Sequence, residues 1–213
     1  MANLIETEII NIESHLKEMI SLVLSMHQDA KKALENNDQK LALQIIKRDE
    51  QVNNLDELIN ETVLSFMATQ APVAKDLRAS IAMIRVANDV ERIGDYAKTI
   101  SEFIILTKPL YAPFKADMDH MFDDFLKMFK AATDLFFKPV LEETYNIANQ
   151  DQFIDAKLKK AFHDIPKVVT TDNVLSVMDT FNILRTLERA GDHTKNICEA
   201  VIFKLKGKKI DLG

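Results

Sequence analysis

Tryptophan is absent from this 213-residue chain, cysteine occurs once, and there are only four glycines and five prolines. The single Cys198 excludes an internal disulfide and fits a reducing compartment. Flanked by Ile197 and Glu199 on a helical stretch, it reads as a small packed hydrophobe. With so few glycines and prolines, and little period-two alternation, strands are not expected. No apolar run approaches the ~18–20 residues that span a bilayer, and no basic, cleavable leader is expected. A cytoplasmic protein without membrane insertion is expected. A basic excess is lacking too: 27 Lys and Arg against 33 Asp and Glu leave a net charge of −6, which counts against a nucleic-acid partner. The one basic run, Lys204, Lys206, Lys208 and Lys209, reads as a solvated helix end whose cations suit the dipole.

What is present is apolar residue, 47% of the chain, carried by Leu, Ile, Ala and Met among Lys and Glu, the composition of long helices. A repeat organises it. Glu91-Arg92-Ile93-Gly94-Asp95 recurs 97 residues later as Glu188-Arg189-Ala190-Gly191-Asp192, and Lys98, Ile100 and Glu102 recur as Lys195, Ile197 and Glu199. Seven identities in twelve ungapped positions indicate a duplicated unit of about a hundred residues. The expected fold is all-α: two tandem, pseudo-symmetric three-helix bundles, over 1–108 and 113–213.

In chain order, the first helix is expected over 4–35, with Ile5, Ile9, Ile12, Leu16, Met19, Ile20, Val23 and Leu24 at helical spacing. Asp38 is placed to cap a second helix over 39–69, with Leu43, Ile46, Leu55, Leu58, Ile59 and Leu64 inward. Pro72 after Gln70-Ala71 forces a turn, and a third helix follows over 74–107. Pro109 and Pro113 bracket the connection between the units. A fourth helix over 115–148 is expected to kink at Pro139, and its Phe122, Phe125, Met128, Phe129, Phe136 and Phe137 read as core rather than as a ligand pocket. A fifth, over 151–163, ends at His163-Asp164-Ile165-Pro166. Thr171-Asp172 caps the sixth, over 173–206, which stops at Gly207.

At about 100° per residue, Glu91, Asp95, Lys98 and Glu102 line one stripe, and Glu188, Asp192, Lys195 and Glu199 repeat it. Val86, Val90, Ile93, Ala97, Ile100 and Ile104 lie opposite, so the carboxylates face away from the deepest core. Two readings stay open. One is an ordinary solvated face, with Arg92 and Arg189 pairing to nearby acids. The other is a cation site. Carboxylates at i and i+4 stand about 5–6 Å apart, close enough to share an ion. The interior glycine, costing about 1 kcal/mol in a helix, is tolerated twice. Asp49 and Asp151, on the second helix of each unit, can supply a third carboxylate. All-oxygen donors suit Mg²⁺, Ca²⁺, Mn²⁺ or iron better than copper or structural zinc.

These residues resemble the PhoU family over nearly the whole length. The resemblance is carried by Gln70-Ala71-Pro72-Val73-Ala74, Asp76-Leu77-Arg78, Glu91-Arg92-Ile93-Gly94-Asp95, and Leu187-Glu188-Arg189-Ala190-Gly191-Asp192-His193. It implies two three-helix bundles, each with a surface metal cluster, and metal candidates Glu91, Asp95, Glu188 and Asp192, supported by Asp49 and Asp151. The metal is expected among iron, manganese, magnesium and zinc. It further implies a homodimeric, non-enzymatic negative regulator of phosphate uptake, set between the ATPase subunit of a phosphate ABC transporter and a phosphate-responsive sensor histidine kinase. The first unit has Asn53 where the second has Asp155 and the family often has Asp, so the two clusters are expected to differ in charge.

Two other classes compete. A di-iron carboxylate enzyme needs paired Glu-x-x-His segments, and the nearest approach is a single Asp117-Met118-Asp119-His120. A metal-free helical scaffold would use the acidic stripes as docking surfaces. No nucleophile–base pair or phosphate-binding glycine loop is evident, and His193 is expected as a helix-surface residue.

Overall fold

The computed structural model describes residues 2–70, 72–106 and 110–212, with side chains from Ile5 onward. Ala71, Pro109 and the boundary residue Lys108 lie outside them. Among the described residues there are helices and no strands. They are α1 (Ala2–Asn36), α2 (Gln39–Gln70), α3 (Ala74–Leu106), a 3-10 turn (Ala112–Phe114), α4 (Lys115–Phe137), α5 (Leu141–Ala148), α6 (Asp151–Val168) and α7 (Val174–Lys206). Helices α1, α2 and α3 pack as one three-helix unit, and α4 with α5, α6 and α7 pack as a second. The units meet along α3 and α7 and, less extensively, along α1 and α4. Buried side chains from both halves form one continuous apolar core.

Local chemistry explains most of the helix ends. Asp38 Oδ1 accepts from the backbone N–H groups of Lys40 and Leu41, each at 3.0 Å, so it caps α2 as expected. Gly207 ends α7 in the left-handed region at φ 69°. Pro139, by contrast, breaks the fourth helix instead of kinking it. The residue before a proline is pushed out of the helical region, and Lys138 sits at φ −129°, ψ 73°. Helix α6 runs for 18 residues, about five turns, with Pro166 inside its last turn, where the missing N–H removes only a terminal bond. Asn173 rather than Asp172 precedes α7, and it holds the loop by accepting from Thr170 N and donating to Val168 O.

The inward faces of α1 and α3 match their periodicity: Ile12, Leu16, Met19, Ile20 and Val23 are buried, as are Val86, Val90, Ile93, Ala97, Ile100 and Ile104. On α2 the expected face is rotated. Leu43, Leu58 and Leu64 are exposed, whereas Ala42, Ile45, Asp49, Val52, Ile59, Val63 and Phe66 are buried. The α4 aromatics are core: Phe122, Phe125, Phe129 and Phe136 are among the largest fully buried side chains.

Candidate functional site

Helices α3 and α7 cross antiparallel. The start of α3 meets the end of α7, where Arg78 lies against Gly207 and Arg85 stacks on the Phe203 ring. Near their middles Asp89 Oδ1 accepts from His193 Nδ1 at 2.8 Å and from Asn196 Nδ2 at 3.0 Å. This corrects the expectation for His193: it is a half-buried tie between the two units, not a free surface residue. Tyr96 and His193 occupy equivalent positions of the repeat, and their rings face each other at 5.7 Å. Burial lifts the Tyr96 phenol. The carboxylates of Asp95 and Asp192 add to that lift, and Arg189 and Arg92 oppose it. The Tyr96 ring thus lies within reach of charges from both motif copies at the α3–α7 seam.

In the first unit, Asp49 of α2 is buried, 4% exposed, and its Oδ2 accepts from Lys98 Nζ at 2.6 Å. Its Oδ1 is buried without a hydrogen-bond partner, and so is Oδ1 of Asp56, one turn pair further along α2. Arg92 pairs along the helix with Glu91 at 3.5 Å and Asp95 at 3.3 Å, as the ion-pair alternative anticipates. Burial first, then Asp95, Asp56 and Asp49, push the Glu91 carboxyl above its ordinary range.

The second unit repeats the plan. Asp151 opens α6, is 3% exposed, and its Oδ2 accepts from Lys195 Nζ at 2.7 Å. Lys195 also reaches Asp192 Oδ1 at 3.4 Å. Asp151 Oδ1 is again buried and unpartnered. Burial first, then Asp192, Asp155 and Asp151, raise Glu188. A raised folded-state carboxyl contributes stability that is present in acid and lost as the pH rises through its folded value.

Sequence reasoning thus brought Glu91, Asp95 and Asp49 to one locality and Glu188, Asp192 and Asp151 to the other. It missed Asp56, which shares the Asp49 face at i+7, and it missed that Lys98 and Lys195 reach across to the neighbouring helix. As they stand, no three or more His, Cys, Asp or Glu side chains among the described residues are arranged to hold an ion.

The motif glycines differ in what they admit. A Cβ on Gly191 would stand 2.7 Å from Asp151 Oδ1, whereas one on Gly94 would meet Val52 Cγ1 at 3.2 Å and Val23 Cγ2 at 3.3 Å. Each glycine lets a neighbouring helix approach, and Gly191 also seats the buried carboxylate. Gly94→Ala asks valines to yield by tenths of an ångström while gaining about 1 kcal/mol of helix propensity, so it is expected to be near neutral. Gly191→Ala unseats Asp151 and is expected to cost about 1–2 kcal/mol in urea unfolding. Equal stabilities of the two variants would show that the seat is unimportant.

Comparison with known proteins places this geometry in context. The PhoU domain model matches residues 16–104 and again 118–201. The phosphate-specific transport system accessory protein PhoU homolog of Clostridium acetobutylicum is 28% identical over 211 residues, covering 97% of this chain and 96% of that protein. The homolog of the same description in Pseudomonas putida is 32% identical over 207 residues, covering 95% and 81%. The crystal structure of PhoU from Pseudomonas aeruginosa superposes with a TM-score of 0.87 at 30% identity, over 95% of this chain and 99% of that one.

Proposed function

The chain belongs to the PhoU family, and from that membership we propose that it is an accessory protein of phosphate transport that restrains phosphate uptake and phosphate-starvation signalling. It acts in the cytoplasm as a homodimeric, non-catalytic, metal-binding adaptor between the ATPase subunit of a phosphate ABC transporter and a phosphate-responsive sensor histidine kinase. No helix among the described residues is long and apolar enough to cross a membrane, which is compatible with a role beside the transporter rather than within it.

One observation carries the metal part of this reading. Each of the two duplicated carboxylate clusters keeps a buried aspartate oxygen with no protein partner. Such an orphan is costly unless something positive completes it. The donor set is all carboxylate and fits a hard or borderline cation such as iron, manganese, magnesium or zinc. Glu91, Asp95 and Asp49 would hold it in the first unit, and Glu188, Asp192 and Asp151 in the second. A bound cation supplies positive charge among acids that otherwise repel one another. A specific observation also favours the metal-free scaffold: Lys98 and Lys195 already neutralise Asp49 and Asp151.

Elemental analysis of protein purified without chelator decides between them. The parent is expected to carry metal, and the variant with Glu91, Asp95, Glu188 and Asp192 all replaced by Ala is expected to carry none while keeping its helicity. An equal metal content in both leaves only the scaffold. Deleting the gene is expected to leave phosphate-starvation genes expressed in phosphate-rich medium; unchanged expression would remove the regulatory assignment.

A further inference from the structure

Resting on the metal reading above, we propose that Lys98 and Lys195 are built-in counter-ions. Each ammonium stands in for a multivalent cation within its own carboxylate cluster, and each lysine swings outward when such a cation is bound.

The duplication makes the case. The two lysines occupy equivalent repeat positions on α3 and α7, and each reaches a different helix to donate to one oxygen of a buried aspartate, at 2.6 Å and 2.7 Å. Those aspartates are not equivalent by simple offset: Asp49 lies within α2, and Asp151 is the first residue of α6. The same contact has thus been kept by two different backbone arrangements. In both, the lysine satisfies Oδ2 and leaves Oδ1 buried and unpartnered. In the second cluster that free oxygen stands against Gly191 of the motif. The ammonium therefore half-completes a site that a larger charge can complete.

The lysines also have somewhere to go. Their side chains are 34% and 15% exposed, against 6% and 4% for their aspartates, and a lysine stem is long and flexible enough to carry its charge into water. Loss of the ammonium from an unfilled site strands a buried carboxylate, so the lysine supports the metal-free fold. Entry of a monovalent cation merely exchanges one positive charge for another. A cation of charge two or more leaves the cluster better compensated, so the lysine selects for multivalent ions and lowers their affinity at the same time. It also ties occupancy to the surface, because filling both sites releases two ammonium groups beside the α3–α7 seam.

The test uses the parent, the double variant Lys98→Gln/Lys195→Gln, and the four-carboxylate alanine variant, each titrated calorimetrically with Mn²⁺ and, separately, with Zn²⁺. Giving up one charge-assisted hydrogen bond per site corresponds to about ten- to a hundredfold in affinity, so the lysine variant is expected to bind at least about tenfold more tightly than the parent. It is also expected to melt at a lower temperature when metal-free and to recover more of that loss on adding metal. In the parent, acylation of Lys98 and Lys195 by an activated ester, read residue by residue by mass spectrometry, is expected to speed up on adding the metal. Equal or weaker binding by the lysine variant, with binding still lost in the carboxylate variant, overturns the counter-ion role and leaves the metal reading standing. Binding of neither ion by any of the three proteins removes both.

Discussion

Phe125→Ala is expected to lower the stability of the protein by about 3–5 kcal/mol, the range for emptying a buried aromatic site. Phe125 is fully buried on α4, and its ring lies 4.7 Å from that of His27 on α1 and stacks on Phe129 at 5.8 Å. Those contacts join the second unit to the first. Because the buried side chains of both halves are continuous, the loss is expected throughout the molecule, as one urea transition moved to lower concentration with its slope nearly unchanged. Fluorescence and circular dichroism traces that separate into two steps, with one step left at the parental midpoint, would show instead that the units unfold independently. A loss below about 1.5 kcal/mol would show that α1 and α4 close over the gap.

That joint explains why sequence reasoning succeeded in some places and failed in others. The faces of α1 and α3 were legible because one apolar stripe serves one core and the polar residues lie opposite. The α2 face was not. Its buried row includes the small Ala42 and the charged Asp49, while the large Leu43, Leu58 and Leu64 stand outside, so counting bulky apolar residues selects the wrong side. The acidic stripes were legible because Glu91, Asp95, Glu188 and Asp192 lie on single helices, where angular position follows from spacing alone. Lys98 with Asp49, Lys195 with Asp151 and Asp89 with His193 are 49, 44 and 104 residues apart. Such pairs depend on how helices are set against one another, and nothing local encodes that. The Pro139 break and the Pro166 continuation show a finer limit. A proline costs one backbone bond in either place, and its sequence neighbourhood does not say whether the helix stops before it, as at Pro139, or runs past it to Val168, as at Pro166.

Acidification gives the second large effect, through one side chain. His27 is completely buried on α1, and its ring nitrogen Nε2 lies 2.7 Å from the carbonyl oxygen of Ile93, inside the first motif. A carbonyl only accepts, so Nε2 carries the proton and Nδ1 is left with a lone pair that has no partner. Burial pushes the imidazole down from 6.5 to about 4, with the bond to Ile93 acting in the opposite direction. The folded state therefore resists a proton that the unfolded chain takes up readily. The His27 contribution is fully present above about pH 6.5 and is lost as the pH falls toward 4, by up to about 3 kcal/mol. Glu91 and Glu188, with Asp56 and Asp151, are shifted upward chiefly by burial and have the opposite slope, so the parent's net loss is smaller than the His27 share. His27→Gln keeps an amide donor for Ile93 O and removes the titration. Urea unfolding of both proteins at pH 7 and pH 4.5 isolates the histidine, because the carboxylates are common to both. The variant is expected to be the less stable protein at pH 7, where the shaped imidazole cavity is lost, and to hold about 2 kcal/mol more of its stability than the parent does on moving to pH 4.5. Parallel losses in the two proteins would mean that His27 takes up its proton within the fold without penalty, and that the α1–α3–α4 joint is open to water.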